Sequence, residues 1–137
     1  MINVHALHKQ YHDGDTVVHA LRGVDLTVSG GEFISIAGPS GSGKSTLLNI
    51  IGCIDVADSG AVEIDGTRTT GMKRDERTAL RREKLGFVFQ TFNLIPVLTA
   101  YENVALALSL LGVSEEETKR RTMEILSEVG LEGMEDR

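Results

Sequence analysis

One short run of the sequence combines the residue types that can hold a polyphosphate. Residues 38–46 read GPSGSGKST, with three glycines, four hydroxyl side chains and a lysine. The glycines permit backbone dihedrals that turn successive N–H groups inward, and phosphate oxygens can approach where a Cβ would otherwise stand. A helix that begins near Lys44 would add its own free N–H groups and the positive end of its dipole. The run therefore predicts a site for a nucleoside triphosphate.

The side chains of this run have separate expected roles. Lys44 supplies a mobile positive charge for the β- and γ-phosphates, which also makes it a candidate catalytic residue. The hydroxyl of Ser45 is placed to ligate Mg²⁺, and Thr46 can hydrogen-bond the α-phosphate. The residues expected to bind the nucleotide are Gly38, Ser40, Gly41, Ser42, Gly43, Lys44, Ser45 and Thr46. Every fixed position matches the phosphate-loop pattern G-x-x-x-x-G-K-[ST], which disfavours a chance glycine-rich turn.

The surrounding pattern predicts strands that would position this loop. Alternating or short apolar runs indicate strands at 2–7, 21–28, 33–37, 61–65 and 87–89. In the first of these, the alternating apolar residues are Ile2, Val4 and Ala6. The segments 33–37 and 87–89 are short and apolar, which is typical of buried parallel strands. Asp13 and Gly14 indicate a hairpin turn.

Helices are predicted after the loop and through the second half of the chain. Apolar residues at helical spacing follow the loop at 46–53, and a charged helix is predicted at 75–84. Capping-box spacing predicts two helix starts, at Thr99 with Glu102 and at Ser114 with Glu117. Ion pairs four residues apart are expected at Glu116–Arg120 and Glu117–Arg121. Strands alternating with helices indicate an α/β fold.

Composition limits the classes of function. The chain has 137 residues, 41% of them hydrophobic, and a net charge of −6, which argues against nucleic acid as a partner. Cys53 is the single cysteine and lies among apolar residues, so we expect it in the core. The four histidines do not have the spacing of a metal site, and the apolar stretch 104–113 is too short to span a bilayer. No secretory signal is visible, which favours a cytoplasmic location.

Three stretches of the sequence resemble one family of phosphate-loop proteins. They are HALRGVDLTVSGGEFISIAGPSGSGKSTLLNIIGCID, SGAVEIDG and GFVFQTFNLIPVLTAYENV. The sequence is similar to the N-terminal part of an ATP-binding cassette (ABC) transporter ATPase, and within that family to the ATPases of lipoprotein-release and macrolide-export systems. The resemblance implies a phosphate-loop NTPase with a RecA-like core, an N-terminal antiparallel β-subdomain and the start of a helical subdomain. It places the β-subdomain and core at 1–90 and the helical part at 91–137.

The resemblance also implies further site residues and partners. Tyr11 would stack on adenine and Val18 would pack against the same base, although Tyr11 as an ordinary core or surface aromatic stays open. Gln90 matches the glutamine of the family's Q-loop, which ligates Mg²⁺ or holds the attacking water. Segment 91–99 resembles the contact to a transmembrane permease, with ordinary packing as the alternative. ATP and Mg²⁺, a second ATP-binding subunit in a head-to-tail dimer, and the inner face of the cell membrane follow from the family.

Other motifs of the family are not found in these 137 residues. A run resembling LSGGQ, an apolar strand that ends in Asp-Glu, and a later histidine do not occur, and residues 126–130 lack the paired glycines. The resemblance therefore covers a truncated domain, which we expect to bind nucleotide weakly and to hydrolyse almost none. A nucleotide-binding module without turnover is the alternative. A phosphate-loop kinase and an ABC-type ATPase that acts on nucleic acid are disfavoured by the stretch at 90–104 and by the net negative charge.

Overall fold

The structure is a computed structural model that describes every residue from Met1 to Arg137. It contains two compact units, Met1–Gly86 and Phe87–Arg137. The elements are β1 (Ile2–Asp13), β2 (Thr16–Val28), α1 (Lys44–Ile51), β3 (Ser59–Ile64), β4 (Thr67–Arg68), α2 (Arg74–Lys84), α3 (Ala100–Leu110) and α4 (Glu115–Glu128). None of the helices has the length and apolar character needed to cross a membrane.

The first unit is built on an antiparallel sheet of four strands in the order β2-β1-β3-β4. The predicted hairpin is confirmed, since β1 turns directly into β2 with Asp13 opposite Thr16. Both strands extend beyond the predicted 2–7 and 21–28. The added residues, 8–13 of β1 and 16–20 of β2, show no regular alternation of apolar and polar types. The two segments pair with each other through a ladder of backbone hydrogen bonds, which stabilises a strand whatever its side chains.

A β-bulge in β1 changes which residues enter the core. Ala6 has a φ of 45°, and the pairing register shifts between Val4 and Leu7. The predicted alternation therefore fails after Val4, and Leu7 rather than Ala6 is fully buried, at 0% exposure. Gly60 of β3 lies against the bulge, where a Cβ would come within 2.4 Å of the carbonyl oxygen of Ala6. Only glycine fits such a close approach of two backbones.

The core of the first unit joins the sheet to α1 and α2. Its buried residues are Val4, Leu7, Leu21, Leu47, Ile50, Ile51, Cys53, Val62, Ile64 and Leu80. The expected core position of Cys53 is confirmed, and burial raises the pKa of its thiol. The guanidinium of Arg81 donates to the carbonyl oxygen of Cys53 at 2.6 Å, so α2 is tied to the end of α1 by a polar contact as well as by Leu80.

The two strands predicted from short apolar runs are wrong for this structure. Neither 33–37 nor 87–89 forms a strand, and Phe33 is 95% exposed while Val88 is fully exposed. Phe87 and Phe89 stack on each other, with ring centroids 5.9 Å apart. A buried parallel strand depends on hydrogen bonds to strands on both sides, and no strand of this chain pairs with either segment. Apolar composition alone cannot supply that partner.

The second unit is a pair of helices with well-defined starts. The predicted capping box at α3 is confirmed, because Thr99 accepts from the N–H of Glu102 at 3.1 Å and Glu102 accepts from the N–H of Thr99 at 2.8 Å. At α4, Ser114 accepts from the N–H of Glu117 at 3.4 Å. The reciprocal half of that box is not formed, since the Glu117 carboxylate binds arginines of its own helix. The residues buried in α3 and α4 are Ala105, Thr118, Thr122 and Leu126.

The ion pairs of α4 differ in part from the prediction. The pair Glu117–Arg121 is confirmed at 2.6 Å. The pair Glu116–Arg120 is wrong, because Arg120 instead contacts Glu117 at 2.8 Å and Glu124 at 2.9 Å. One guanidinium with several donors can reach carboxylates one turn away in both directions along the helix.

Glu117 gives this unit a defined dependence on pH. Hydrogen bonds from Arg120 and then Arg121 lower the pKa of its carboxyl from 4.5 to about 2. A lowered folded-state pKa stabilises the fold above the unfolded value, and that contribution is lost as the pH falls from 4.5 towards 2. We expect Glu117→Gln to unfold at a lower urea concentration than the parent chain at pH 6, with the difference shrinking steadily below pH 4.5, as followed by circular dichroism. Glu116→Gln removes the same charge one residue away from these pairs and is the control; an equal effect of both variants would contradict the assignment.

Candidate functional site

A cavity of about 520 Å³ in the first unit brings the phosphate loop and the hairpin together. Its lining residues are Tyr11, Val18, Ala20, Ser40, Gly41, Ser42, Gly43, Lys44, Ser45 and Thr46. Tyr11 and Val18 are paired across the β1–β2 ladder, so the hairpin presents the two residues singled out for the base on neighbouring strands. Nine of the predicted site residues, from two segments distant in sequence, therefore line the same cavity.

Two residues depart from this set. Gly38 does not line the main cavity, but it lines a neighbouring one and its carbonyl oxygen accepts from the Lys44 ammonium. Ala20 lines the main cavity and was missed from the sequence. It stands two residues after Val18 on the same strand, so the period of two in β-structure would have found it.

The start of α1 is the electrostatic centre of the cavity. Gly43 is the N-cap with a φ of 90°, and no side chain caps the first turn. In α3 and α4 the N-cap side chains of Thr99 and Ser114 accept from N–H groups of the first turn, and in α2 the Glu76 carboxylate accepts from the N–H of the N-cap residue Lys73. The first N–H groups of α1 thus have neither an intrahelical partner nor a capping side chain, and their residues line the cavity. Such groups, at the positive end of a helix dipole, bind anions.

Contact with β2 fixes the position of this helix start. A Cβ on Gly43 would lie 2.4 Å from the carbonyl oxygen of Ala20 and 3.2 Å from a methyl of Leu21. The first distance is far below any ordinary contact between a carbon and a backbone oxygen. The backbone of the phosphate loop therefore lies directly against the strand that also carries Val18, and this contact is possible only without a side chain.

Lys44 is held within the loop by backbone oxygens. Its ammonium donates to the carbonyl oxygens of Gly38 at 2.8 Å and Pro39 at 2.7 Å, and to the hydroxyl of Ser42 at 3.3 Å. Lys44 is the one cationic side chain that lines the cavity, and no carboxylate lines it. The cavity is therefore positive although the chain as a whole has a charge of −6. A polyphosphate is the kind of ligand that this arrangement attracts.

Tyr11 is joined to two charged residues outside the cavity. Its hydroxyl donates to a carboxylate oxygen of Asp55 at 2.7 Å, and the Lys9 ammonium lies 5.1 Å from its ring centroid. The hydrogen bond to Asp55 and then burial raise the pKa of Tyr11, which the Thr46 hydroxyl opposes. Burial also disfavours the charged Asp55, yet hydrogen bonds from Tyr11, the Val56 N–H and Lys9 outweigh it and lower the Asp55 pKa. Asp55 is thus an anion at neutral pH and Tyr11 a neutral donor.

The remaining predicted site residue belongs to the second unit. Gln90 lies exposed at a bend directly after residues 87–89. In the loop that follows it, Phe92 is 93% exposed and Val97 is 88% exposed. Asn103 of α3 fixes the end of this loop, since its side chain accepts from the N–H of Ile95 at 2.8 Å and donates to three backbone carbonyls. The loop thus presents apolar side chains on an anchored backbone.

Comparison with protein families matches residues 21–137 to the ABC transporter family. This chain therefore belongs to the ABC transporter family and is the N-terminal portion of its ATP-binding domain. It is 50% identical over 135 residues to the ABC transporter ATP-binding protein MJ0796 of Methanocaldococcus jannaschii, covering 96% of this chain and 57% of the relative. It is 44% identical over 135 residues to the macrolide export ATP-binding/permease protein MacB of Mannheimia succiniciproducens, covering 98% of this chain and 21% of that protein.

Solved structures show the same fold. A dimeric structure of the ATP-binding cassette MJ0796 in a post-hydrolysis state, bound to ADP and Pi, matches all of this chain with a TM-score of 0.90 and 47% identity. This chain covers 61% of that one. The predicted fold class and the similarity to macrolide-export ATPases are confirmed. The chain spans a little over half the length of MJ0796 and about a fifth of MacB.

The close approach of Gly43 to the Ala20 carbonyl oxygen predicts an effect on stability. Gly43→Ala should lower the free energy of unfolding by about 2 kcal/mol or more, because the new methyl group must displace a backbone carbonyl as well as tolerate a positive φ. Gly41→Ala is the matched control, since Gly41 has a φ of 78° but open space at its Cβ position. That variant should lose only the dihedral contribution, roughly 1 kcal/mol. Urea unfolding of both measures the difference, and equal losses would show that the contact with β2 is unimportant.

Proposed function

We propose that this chain binds ATP in the cavity between the phosphate loop and the hairpin, as part of an ABC transport ATPase. The observation that carries the proposal is the uncapped start of α1, which shares one cavity with Lys44 and Tyr11. In this proposal the N–H groups of residues 41–46 and the Lys44 ammonium bind the phosphates. Phosphate oxygens would replace the loop's own carbonyl oxygens as partners of Lys44, and charged acceptors bind an ammonium more strongly than neutral ones.

The base would bind at the hairpin end of the cavity. Tyr11 offers the face of its ring for stacking and Val18 offers an apolar contact, with Ala20 beside them. The cavity volume of about 520 Å³ is within the range of ordinary ligand sites. The structure of MJ0796 with ADP and Pi supports this assignment, since that relative superposes on the whole of this chain.

The residues of the cavity fit a magnesium ion that is held mainly by the nucleotide. Ser45 offers a hydroxyl in the first turn of α1, and no group of three His, Cys, Asp or Glu side chains in the chain could form a protein cage for a metal. Mg²⁺ commonly takes one or two protein ligands and completes its shell with phosphates and water. Ser45 would hold the ion, which when bound neutralises phosphate charge. For Gln90, a role as metal ligand or water-positioning residue rests on its sequence context alone.

The partners proposed are a membrane permease and a second ATP-binding subunit. MacB combines ATP-binding and permease parts in one protein, and MJ0796 forms a dimer, which supports both. Residues 91–99 would contact the permease through their exposed apolar side chains, and 91–137 would begin the helical subdomain that follows the core at 1–90. Such a protein would work at the cytoplasmic face of the membrane. Export is the direction that the similarity to MacB favours.

An alternative function is nucleotide binding without turnover by these 137 residues. The observation that favours it is the absence of any carboxylate from the cavity lining. Hydrolysis of a phosphoanhydride requires a group that orients or activates the attacking water. None of the side chains that line the cavity is a strong base at neutral pH, so residues from elsewhere would have to supply that group.

Substitution of Lys44 tests the nucleotide site. Lys44→Ala should weaken ATP binding by about ten- to a hundredfold, because hydrogen bonds to charged phosphates are lost, as measured by calorimetry. Its circular dichroism and urea midpoint should change little, since Lys44 contacts only the loop. Lys73→Ala removes the same charge at the exposed start of α2 and should bind ATP like the parent chain. Unchanged ATP affinity of Lys44→Ala would refute the proposal.

Turnover by the 137-residue chain provides a separate test. We expect ATP to bind without steady-state release of phosphate above the buffer rate, because the cavity has no group to activate water. Phosphate release at saturating ATP and Mg²⁺ measures this, and Lys44→Ala is the control for contaminating ATPases. Hydrolysis by the parent chain that this variant abolishes would show that the residues present suffice for catalysis.

A further inference from the structure

We propose that Asp55 and Lys9 are positioning residues that fix the ring of Tyr11 for the base of the nucleotide. The inference rests on the proposed ATP site and adds to it the residues that determine how well the base binds there. Neither residue lines the cavity, so both would act through Tyr11.

The contacts fix Tyr11 at two points. Its hydroxyl is anchored by the 2.7 Å hydrogen bond to Asp55, which lies 44 residues further along the chain. Its ring lies beneath the Lys9 ammonium at 5.1 Å from the centroid, within the range of a cation–π interaction. A tyrosine side chain has two rotatable bonds, and a hydrogen bond at its tip together with a charge over its face restrains both.

Lys9 is itself held firmly. Its ammonium donates to the carbonyl oxygen of Val56 at 2.8 Å and to Asp55 at 3.3 Å, and it lies 3.6 Å from a carboxylate oxygen of Asp58. Its side chain is only 12% exposed, which is low for a lysine. The charge over the Tyr11 ring is therefore fixed by three acceptors in the segment that follows α1.

This arrangement leaves one face of the ring for a ligand. Lys9 covers one face and is absent from the cavity, whereas Tyr11 lines the cavity. A base that enters the cavity would meet the other face. Stacking on a ring that is already oriented loses less conformational entropy than stacking on a ring that rotates freely. The same segment also accepts from the N–H of Gln10 through Asp58, so β1 is fastened at the two residues directly before Tyr11.

The inference predicts that the Tyr11 hydroxyl matters although stacking requires only a ring. Asp55→Ala and Tyr11→Phe should each weaken ATP binding about three- to tenfold, the range expected for one net hydrogen bond. The double variant should bind no more weakly than either single variant, because both remove the same restraint. Inorganic tripolyphosphate, which can use the phosphate loop but has no base, should bind all variants and the parent chain equally. Calorimetry with both ligands measures these affinities.

Two further variants separate positioning from folding. Asp55→Asn keeps an acceptor oxygen for the Tyr11 hydroxyl and should recover most of the ATP affinity. Asp75→Asn removes one carboxylate charge from an exposed position in the first turn of α2, away from Tyr11, Lys9 and Asp55, and its ATP affinity should match that of the parent chain. Urea unfolding of each variant checks that the fold persists under the binding conditions.

The outcomes distinguish this inference from the proposed function. If the parent chain binds neither ATP nor tripolyphosphate, the proposed function fails and this inference fails with it. If the parent chain binds both, but Asp55→Ala leaves the ratio of the ATP and tripolyphosphate affinities unchanged, only the positioning role is overturned. Additive losses in the double variant would also overturn it. Selective, non-additive loss of ATP affinity with recovery in Asp55→Asn supports it.

Discussion

The contact between Gly43 and the carbonyl oxygen of Ala20 is the constraint on which the candidate site depends. It places the start of α1 against β2 at a distance that excludes every side chain. Because β2 also carries Val18 and pairs with the strand that carries Tyr11, one backbone contact sets the phosphate loop relative to the hairpin. A side chain at Gly43 would separate the two walls of the cavity even if both walls folded correctly.

The four helices show how the same unsatisfied N–H groups can stabilise a fold or bind a ligand. At α3, Thr99 and Glu102 satisfy these groups with side chains, and backbone oxygens of Arg137 and Glu135 accept from Ala100 and Tyr101. At α1 a glycine takes the place of the capping residue, and the groups face a cavity instead. A capping side chain would stabilise the helix by about 1 kcal/mol. At α1 those N–H groups are left free to hydrogen-bond an anion instead.

Features encoded within a few residues were predictable from the sequence, and features that depend on distant partners were not. The start of α1 after the glycine-rich loop, the turn at Asp13 and the cap at Thr99 each depend on neighbours in sequence and agree with the prediction. The strand at 33–37 was wrong because a strand exists only with a hydrogen-bonded partner, which local composition does not encode. The bulge at Ala6 was not predicted for a related reason, since it packs against the backbone of Gly60 on another strand. Within the site, the link from Tyr11 to Asp55 spans 44 residues and has no local pattern.

The distribution of charge in the cavity indicates how the proposed nucleotide would be recognised. The cavity has one cation and several N–H groups at its phosphate end and nothing charged at its base end. Phosphate binding would therefore be strong but would not distinguish one nucleotide from another, because every triphosphate presents the same anions. Recognition of the base would depend instead on apolar contact with the hairpin, and its strength would follow from how rigidly the Tyr11 ring is held. Lys9 lies outside the cavity between the carboxylates of Asp55 and Asp58, so its charge over the Tyr11 ring is offset locally and would add little positive field at the phosphate end.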